Sequence, residues 1–419
     1  MYFRLNNNVF SIGEKNVILY DISMQRYFML DRRGSRAINA CESNSRIEDI
    51  PVNQFKLKRF LDILAEKKIG KYFDTIPYVE KNIPYSPYVK VDNFELKKVY
   101  FDIRNKCDLN CKYCNEYENK ISFGCQTCIS TSQNCEDQLD IEKIGRELGK
   151  YEIPHLVIRS GNPFFDQKKL VELINLICPK RLTIVCNGLE INNEILQKLK
   201  ENVGIIDFVI TFLGADEDEY SSLGINKSII KRQIETLEQL KKWGYEFTIS
   251  IITTKNIAVN KMPIFEYMSK EFFANICVCR KQNTNINGDI TPNRYLNFSK
   301  NNMDFLYKRR YNWCMNGTIA IQSNGVVQVC PMMKKKLGNL KTESLYNIFS
   351  NEKIYSEYWE KTKNMENSCE KCGLKYFCNT CQVTDDLLPM NEISLPICEF
   401  DDEKAFNVIK GFGVECINF

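Results

Sequence analysis

Histidine is nearly absent from this chain: His155 is the single one in 419 residues. That excludes imidazole-rich zinc catalysis and Ser–His or Cys–His triads as the main chemistry. His155 opens a strand-like run and reads as structural. Long apolar runs are missing too. None approaches the roughly 18 residues of a membrane span, and the N-terminal Met-Tyr-Phe-Arg-Leu-Asn-Asn-Asn lacks the apolar core of a signal peptide. The expectation is a cytoplasmic protein with no membrane partner. Net charge is only +4, which gives no reason to expect nucleic acid. The charge is uneven, because residues 1–72 hold 13 Lys/Arg against 8 Asp/Glu.

Cysteine, by contrast, is abundant, with 19 residues. A reducing compartment tolerates that number where thiolates hold metal or do redox work, and thiolate sets favour iron–sulfur or zinc. Cys107, Cys111 and Cys114 fall in Cys-Asp-Leu-Asn-Cys-Lys-Tyr-Cys, a C-x3-C-x2-C spacing. Three thiolates on a short loop can hold three irons of a [4Fe–4S] cube and leave the fourth iron for a small molecule, where a cluster normally takes four cysteines. On this motif alone a zinc knuckle or free thiols stay open.

The chain divides into four parts. Residues 1–75 form a small basic module with strand-like runs at Asn16–Asp21 and Arg26–Asp31 and helices at Gly34–Cys41 and Gln54–Lys68. The second helix has Phe55, Leu57, Phe60, Leu61 and Leu64 on one face. Residues 76–95, with Pro77, Pro84 and Pro87, read as a linker. Residues 96–300 alternate strands (Val99–Arg104, His155–Arg159, Arg181–Cys186, Ile206–Phe212, Phe247–Thr253, Phe273–Arg280) with helices. About six βα units predict an α/β fold, a partial (β/α)6 barrel with a parallel sheet. The cysteine loop then follows the first strand, at the end where such sheets bind ligands. Residues 301–419 are a cysteine-rich C-terminal domain.

The cysteine loop resembles the signature of radical S-adenosylmethionine (AdoMet) enzymes. The resemblance implies a [4Fe–4S] cluster on Cys107, Cys111 and Cys114, with AdoMet on the open iron. It places Tyr113 near the adenine. Ser160-Gly161-Asn162-Pro163 stands where the family has Gly-Gly-Glu-Pro, so Asn162 replaces the acid that holds the methionine amino group, and its amide oxygen is expected to accept from that ammonium. Cys186-Asn187-Gly188 resembles Thr-Asn-Gly. Thr211-Phe212-Leu213-Gly214 stands for Ser-Leu-Asp-Gly, and Leu223 occupies the place of a carboxylate-gripping arginine. Cofactor contacts are therefore expected from Tyr113, Ser160, Gly161, Asn162, Asn187 and Thr211.

Further on, Cys314-x10-Gly325-x4-Cys330, Cys369-x2-Cys372-x5-Cys378-x2-Cys381 and Cys398 form an ordered array, with Leu337-Gly-Asn-Leu340 and Ser344-Leu-Tyr-Asn-Ile-Phe349 between. The array resembles the SPASM domain of peptide-modifying radical AdoMet enzymes, which carries two auxiliary [4Fe–4S] clusters. The resemblance implies an outer cluster on Cys369, Cys372, Cys378 and Cys398, and an inner one on Cys314, Cys330 and Cys381. Cys277 or Cys279 could complete the inner set, or the site could stay open for a substrate thiolate. Two structural zinc sites are the alternative. Cys125, Cys128 and Cys135 read as thiols near the active site or as a further cluster. Cys41, Cys178 and Cys416 read as buried apolar residues.

Residues 1–75 resemble the RiPP recognition element, a winged-helix-like module that takes the leader of a precursor peptide by strand addition to an open sheet edge. The three resemblances together imply a maturase of ribosomally made peptides that uses a 5′-deoxyadenosyl radical, with a reduced flavodoxin or ferredoxin-type electron donor. Thioether crosslinking of the sactipeptide or ranthipeptide type is the expected product. Carbon–carbon crosslinking, formylglycine formation, or a non-catalytic peptide-binding partner are the alternatives.

Overall fold

A computed structural model of the chain describes residues 1–14, 17–81, 96–104, 107, 109, 111–114, 121–122, 125–128, 140–253, 262–280, 282–283, 294–296, 302–333, 335–350, 354–365, 369–380 and 414–419. The N-terminal module opens with β1 (Tyr2–Leu5), β2 (Val9–Ile12), β3 (Ile18–Asp21) and β4 (Arg26–Leu30) and closes with β5 (Gly70–Phe73). Between β4 and β5 run the helices Arg32–Glu42 and Gln54–Glu66, capped by Asp31, which accepts from the Gly34 N–H, and Asn53, which accepts from the Lys56 N–H. Leu57, Phe60, Leu61 and Leu64 are buried at i, i+3, i+4 and i+7, each stabilising by about 2 kcal/mol. Phe55, expected on that face, is 78% exposed. It precedes Leu57 by two residues, about 200° around the helix.

Strand β6 (Lys98–Asp102) begins the main sheet, and a short β7 (Ile121–Ser122) follows. Then come β8 (His155–Arg159), β9 (Arg181–Cys186), β10 (Ile205–Phe212), β11 (Glu246–Thr253) and β12 (Asn275–Arg280). Strands β6 and β8 to β12 pair parallel in the order β12-β11-β10-β9-β8-β6, with helices between them in the chain. These are the six strands the sequence predicts, within two residues at each end. One face, including Phe208, Ile210 and Phe212, packs in the main core; on the other, Tyr100 packs against Val157, Val185 and Val209.

The C-terminal region adds β13 (Gln282–Asn283) on β7, β14 (Arg294–Leu296), β15 (Thr318–Ile321), β16 (Val326–Gln328), β17 (Gly338–Asn339), β18 (Cys378–Thr380) on β14, and β19 (Glu415–Ile417). Strand β15 pairs parallel with β6, and the β15–β16–β17 meander extends the barrel sheet to nine strands. Strand β19 pairs parallel with β4, so the N-terminal sheet runs β19-β4-β3-β2.

The N-terminal sheet thus packs against the C-terminal part of the chain. One face of this sheet shares a core with Phe305, Leu374, Tyr376, Phe377 and Val414. The Gly13 turn (φ +88°) packs directly on Gly373, where a Cβ would lie 2.4 Å from the Gly373 nitrogen, and the Glu14 N–H donates to Lys371 at 3.0 Å. Among the described residues no helix is long and apolar enough to cross a membrane.

His155 is structural in this fold. Its Nε2 lies 2.7 Å from Thr183 Oγ1, which donates to Asp207 at 2.8 Å. Burial, then Lys98 and Arg181, push its pKa down to about 4. Because the unfolded histidine titrates near 6.5, stability is complete above that pH and declines as pH falls towards 4, by about 2–3 kcal/mol. In His155→Gln this segment of the pH–stability curve, followed by urea unfolding, is expected to flatten.

Candidate active site

The cysteine loop leaves β6 at Asp102, and residues 112–114 make one helical turn in which the Cys114 N–H donates to the Cys111 carbonyl at 3.2 Å. Cys111 is buried (4% exposed); Cys107 and Cys114 are half-buried. A hydrogen bond with the Cys114 thiol, then burial, hold the Cys111 thiol well above its usual range. Asn187, at the end of β9, donates from Nδ2 to Cys107 Sγ at 3.5 Å. Leu109, Tyr113, Cys114 and Leu223 pack around Cys111, Leu213, Tyr220, Ile225 and Ile252. Leu213 and Leu223, where the resemblance leads one to expect polar residues, thus form the apolar wall of the loop.

At the end of β8, Ser160 (φ +76°) and Gly161 (φ +61°) turn the chain through the left-handed region. Serine there is strained by about 1–3 kcal/mol, a cost that concentrates at functional sites. Ser160 Oγ and Asn162 Nδ2 are fully buried and have no hydrogen-bond partner among the described residues. Each such atom costs about 1–3 kcal/mol unless a ligand or water meets it. Asn162 Oδ1 is already engaged, accepting from the Phe164 N–H at 3.1 Å to cap the short helix Pro163–Asp166. Asn162 therefore has its amide Nδ2 free to donate to a ligand, while Oδ1 keeps one lone pair beyond the cap.

A buried polar network ties the strand ends together. Gln233 donates to the carbonyls of Asn187 at 2.6 Å and Thr211 at 2.9 Å and accepts from the Tyr220 hydroxyl, which in turn accepts from the Leu213 N–H. Thr211 Oγ1 accepts from the Cys128 N–H at 2.9 Å, and Ser250 donates to the Gln126 carbonyl at 2.6 Å. Residues 125–128 are thereby fastened to the ends of the parallel strands. Burial, then the charges Cys107 and Cys111 would carry, raise the Cys128 thiol. Sequence reasoning missed Gln233 and Tyr220, which look like ordinary helix residues; the Cys-x2-Cys spacing of Cys125 and Cys128 was the available signal for the other part.

Residues 103–258 match the Radical SAM superfamily model, and residues 313–373 match the SPASM iron–sulfur cluster-binding domain. The chain carries a radical SAM core followed by a SPASM domain. Among solved structures it is similar to anSMEcpe with bound AdoMet, at 16% identity over 76% of this chain and 93% of that one, TM-score 0.53. Native anSMEcpe with AdoMet and a Cp18Cys peptide gives 15% identity over 76% and 96%, TM-score 0.52. SuiB of Streptococcus suis bound to precursor peptide SuiA gives 16% identity over 95% and 100%, TM-score 0.48. No curated protein matches the chain.

Within the residues that match the radical SAM model, Arg159 pairs with Asp102 of β6 at 3.0 Å, with 0% and 3% exposure. Arg159 also donates to the Cys125 carbonyl at 3.4 Å. Tyr100 donates towards Cys125 Sγ at 3.8 Å; burial, then the charges Cys125, Cys314 and Cys330 would carry, raise its phenol well above its usual range. Among the described residues no three His, Cys, Asp or Glu side chains converge as they would around one metal ion.

The SPASM cysteines fall in two places. Cys314 is exposed in the turn before β15, whose Thr318 hydroxyl donates to the Cys314 carbonyl at 3.0 Å; Cys330 is buried in the main core just after β16. Cys369, Cys372 and Cys378 lie in and after the turn that packs on the N-terminal sheet, where the Leu374 N–H donates to Cys372 Sγ at 3.4 Å. Cys277 and Cys279 sit on β12 in register with Ser250 and Ile252. Cys381, Cys398 and Cys135 lie outside the described residues. Cys41 is buried as expected, and Cys416 is half-buried on β19. Cys178 corrects the sequence reading: it is exposed, in a left-handed conformation (φ +49°) that ends the helix Gln167–Ile177.

Proposed function

We propose that the chain is a radical AdoMet enzyme that modifies a ribosomally made precursor peptide, closing a thioether between a cysteine sulfur and a backbone or side-chain carbon. The observation that carries the catalytic part is the three-cysteine loop at the end of β6 beside two orphaned buried polar atoms, Ser160 Oγ and Asn162 Nδ2. The donor set and the orphaned atoms fit a cluster with a bound polar cofactor. Cys107, Cys111 and Cys114 would hold the cluster. Tyr113, Ser160, Gly161, Asn162, Asn187 and Thr211 would surround AdoMet. When bound, the pair supplies a carbon radical able to take hydrogen from an unactivated peptide carbon, chemistry no side chain can perform. The protein's part is to fix the strand ends through Gln233 and to keep the loop in the dry wall of Leu213, Tyr220 and Leu223.

Cys369, Cys372, Cys378 and Cys398 are assigned to the outer auxiliary cluster and Cys314, Cys330 and Cys381 to the inner one. An incomplete inner set leaves room for a peptide thiolate, which favours the thioether. In anSMEcpe a fold of this kind is found with both AdoMet and a Cp18Cys peptide bound. The basic N-terminal module would take the leader, and a reduced flavodoxin or ferredoxin-type protein would supply the electron.

Anaerobically reconstituted protein is expected to bind about twelve irons per chain and, once reduced, to release 5′-deoxyadenosine. Zinc without sulfide, or no 5′-deoxyadenosine from iron-loaded protein, would sink the reading. Asn162 gives a test of sign. Its free group is a donor suited to an acceptor such as a carboxylate, so Asn162→Asp is expected to weaken AdoMet binding about tenfold, or 1.4 kcal/mol, by calorimetric titration. Tighter binding would place the methionine ammonium there instead.

A further inference from the structure

The N-terminal sheet gains its fourth strand from the far end of the sequence. Glu415, Cys416 and Ile417 lie opposite Phe28, Met29 and Leu30 of β4. The other strands of this sheet pair antiparallel, as successive strands of a meander, while β19 joins parallel from outside. A free sheet edge exposes unpaired N–H and C=O groups and is where extended peptides add. Here that edge is filled by the chain itself.

The fit is side-chain specific. Val414 and Cys416 face the core shared with Phe305 and Phe377, whereas Ile417 joins the opposite core with the two helices. Val414 and Ile417 are 6% and 4% exposed. The Phe419 ring lies 5.6 Å from Phe60 on the helix Gln54–Glu66, its N–H donates to Asp31 at 3.3 Å, and Glu415 pairs with Lys67 at 2.6 Å. The groove between β4 and that helix therefore reads an acid, an apolar residue two positions on and an aromatic two positions beyond that, while Val414 and Cys416 are read by the core on the opposite face. Only three residues pair along the edge, at the short end for a strand.

We propose that this groove is a docking site for an extended peptide of that pattern, and that residues 414–419 are its resident, displaceable occupant. The segment is an internal competitor: a peptide can add to β4 once 414–419 has left. That the natural competitor is the leader of the precursor rests on the peptide-modifying reading; the docking and its exchange do not.

The test uses iron-loaded full-length protein and a fluorescent synthetic peptide, Val-Glu-Ser-Ile-Asn-Phe, as the probe. Ile417→Ser, and a chain stopped before Val414, are expected to bind the probe at least tenfold more tightly than the unaltered protein. Met29→Cys, joined to its register partner Cys416 by a disulfide formed before cluster loading, is expected to bind none until reduced. Equal probe affinity in the unaltered protein and the folded Ile417→Ser variant overturns the proposal, as does undiminished binding by the locked variant. The locked variant keeps the segment in place, so a truncation that fails to fold leaves the test intact. 5′-Deoxyadenosine release is measured on the reduced unaltered protein and the Ile417→Ser variant: its failure with probe exchange intact sinks the catalytic reading alone.

Discussion

Cys111→Ala is expected to strip about four irons from each chain, from about twelve to about eight, and to lower 5′-deoxyadenosine formation by at least about a thousandfold. Cys111 is the most enclosed of the three loop thiols, hydrogen-bonded to Cys114 and packed against Leu213, Tyr220 and Ile252. Its neighbours already form an apolar wall, so alanine removes a ligand without stranding a polar group. The fold is expected to survive, with loss of about 1 kcal/mol from the missing sulfur's contacts. Iron and sulfide analysis with circular dichroism checks both halves. Cys41→Ala is the control, because Cys41 is equally buried but belongs to the N-terminal core. It should keep every iron. Equal iron in the two variants would remove Cys111 from the cluster.

Arg159→Met is expected to cost about 3–5 kcal/mol of stability in chemical denaturation, because it takes the guanidinium away from the buried Asp102 carboxylate. The double variant Arg159→Met/Asp102→Leu should recover most of that loss, since two apolar groups leave no charge stranded. The pair does more than hold β6 to β8. Through the Arg159 contact to the Cys125 carbonyl it positions the segment 125–128 across the strand ends. The double variant should therefore regain stability while AdoMet turnover stays low. Recovery of both would make Arg159 a structural residue alone.

The parallel barrel was legible because each of its strands is a compact apolar run followed by a helix of period 3.6. The three-cysteine loop was legible because its spacing is local. What escaped the sequence was long-range or hidden in polar residues. Strand β19 is three residues that acquire meaning only against β4, nearly the whole chain away. Gln233 sits in a helix among lysines and glutamates, yet it is fully buried because two backbone carbonyls need a donor. Asn162 was recognised as a departure from the family's acid, but which of its amide atoms would face a ligand depended on the cap at Phe164. Phe55 was misplaced because an aromatic residue beside an apolar stripe looks like part of it.

The parallel pairing of β15 with β6 links the two cysteine regions. Strand β6 leads into the cysteine loop at one end, and β15 lies between Cys314 and Cys330 in the chain. With clusters on both thiol sets, as proposed above, the spacing between them would be set by this hydrogen-bonded sheet rather than by a hinge. Electron exchange between clusters so placed is then expected to be insensitive to solvent viscosity.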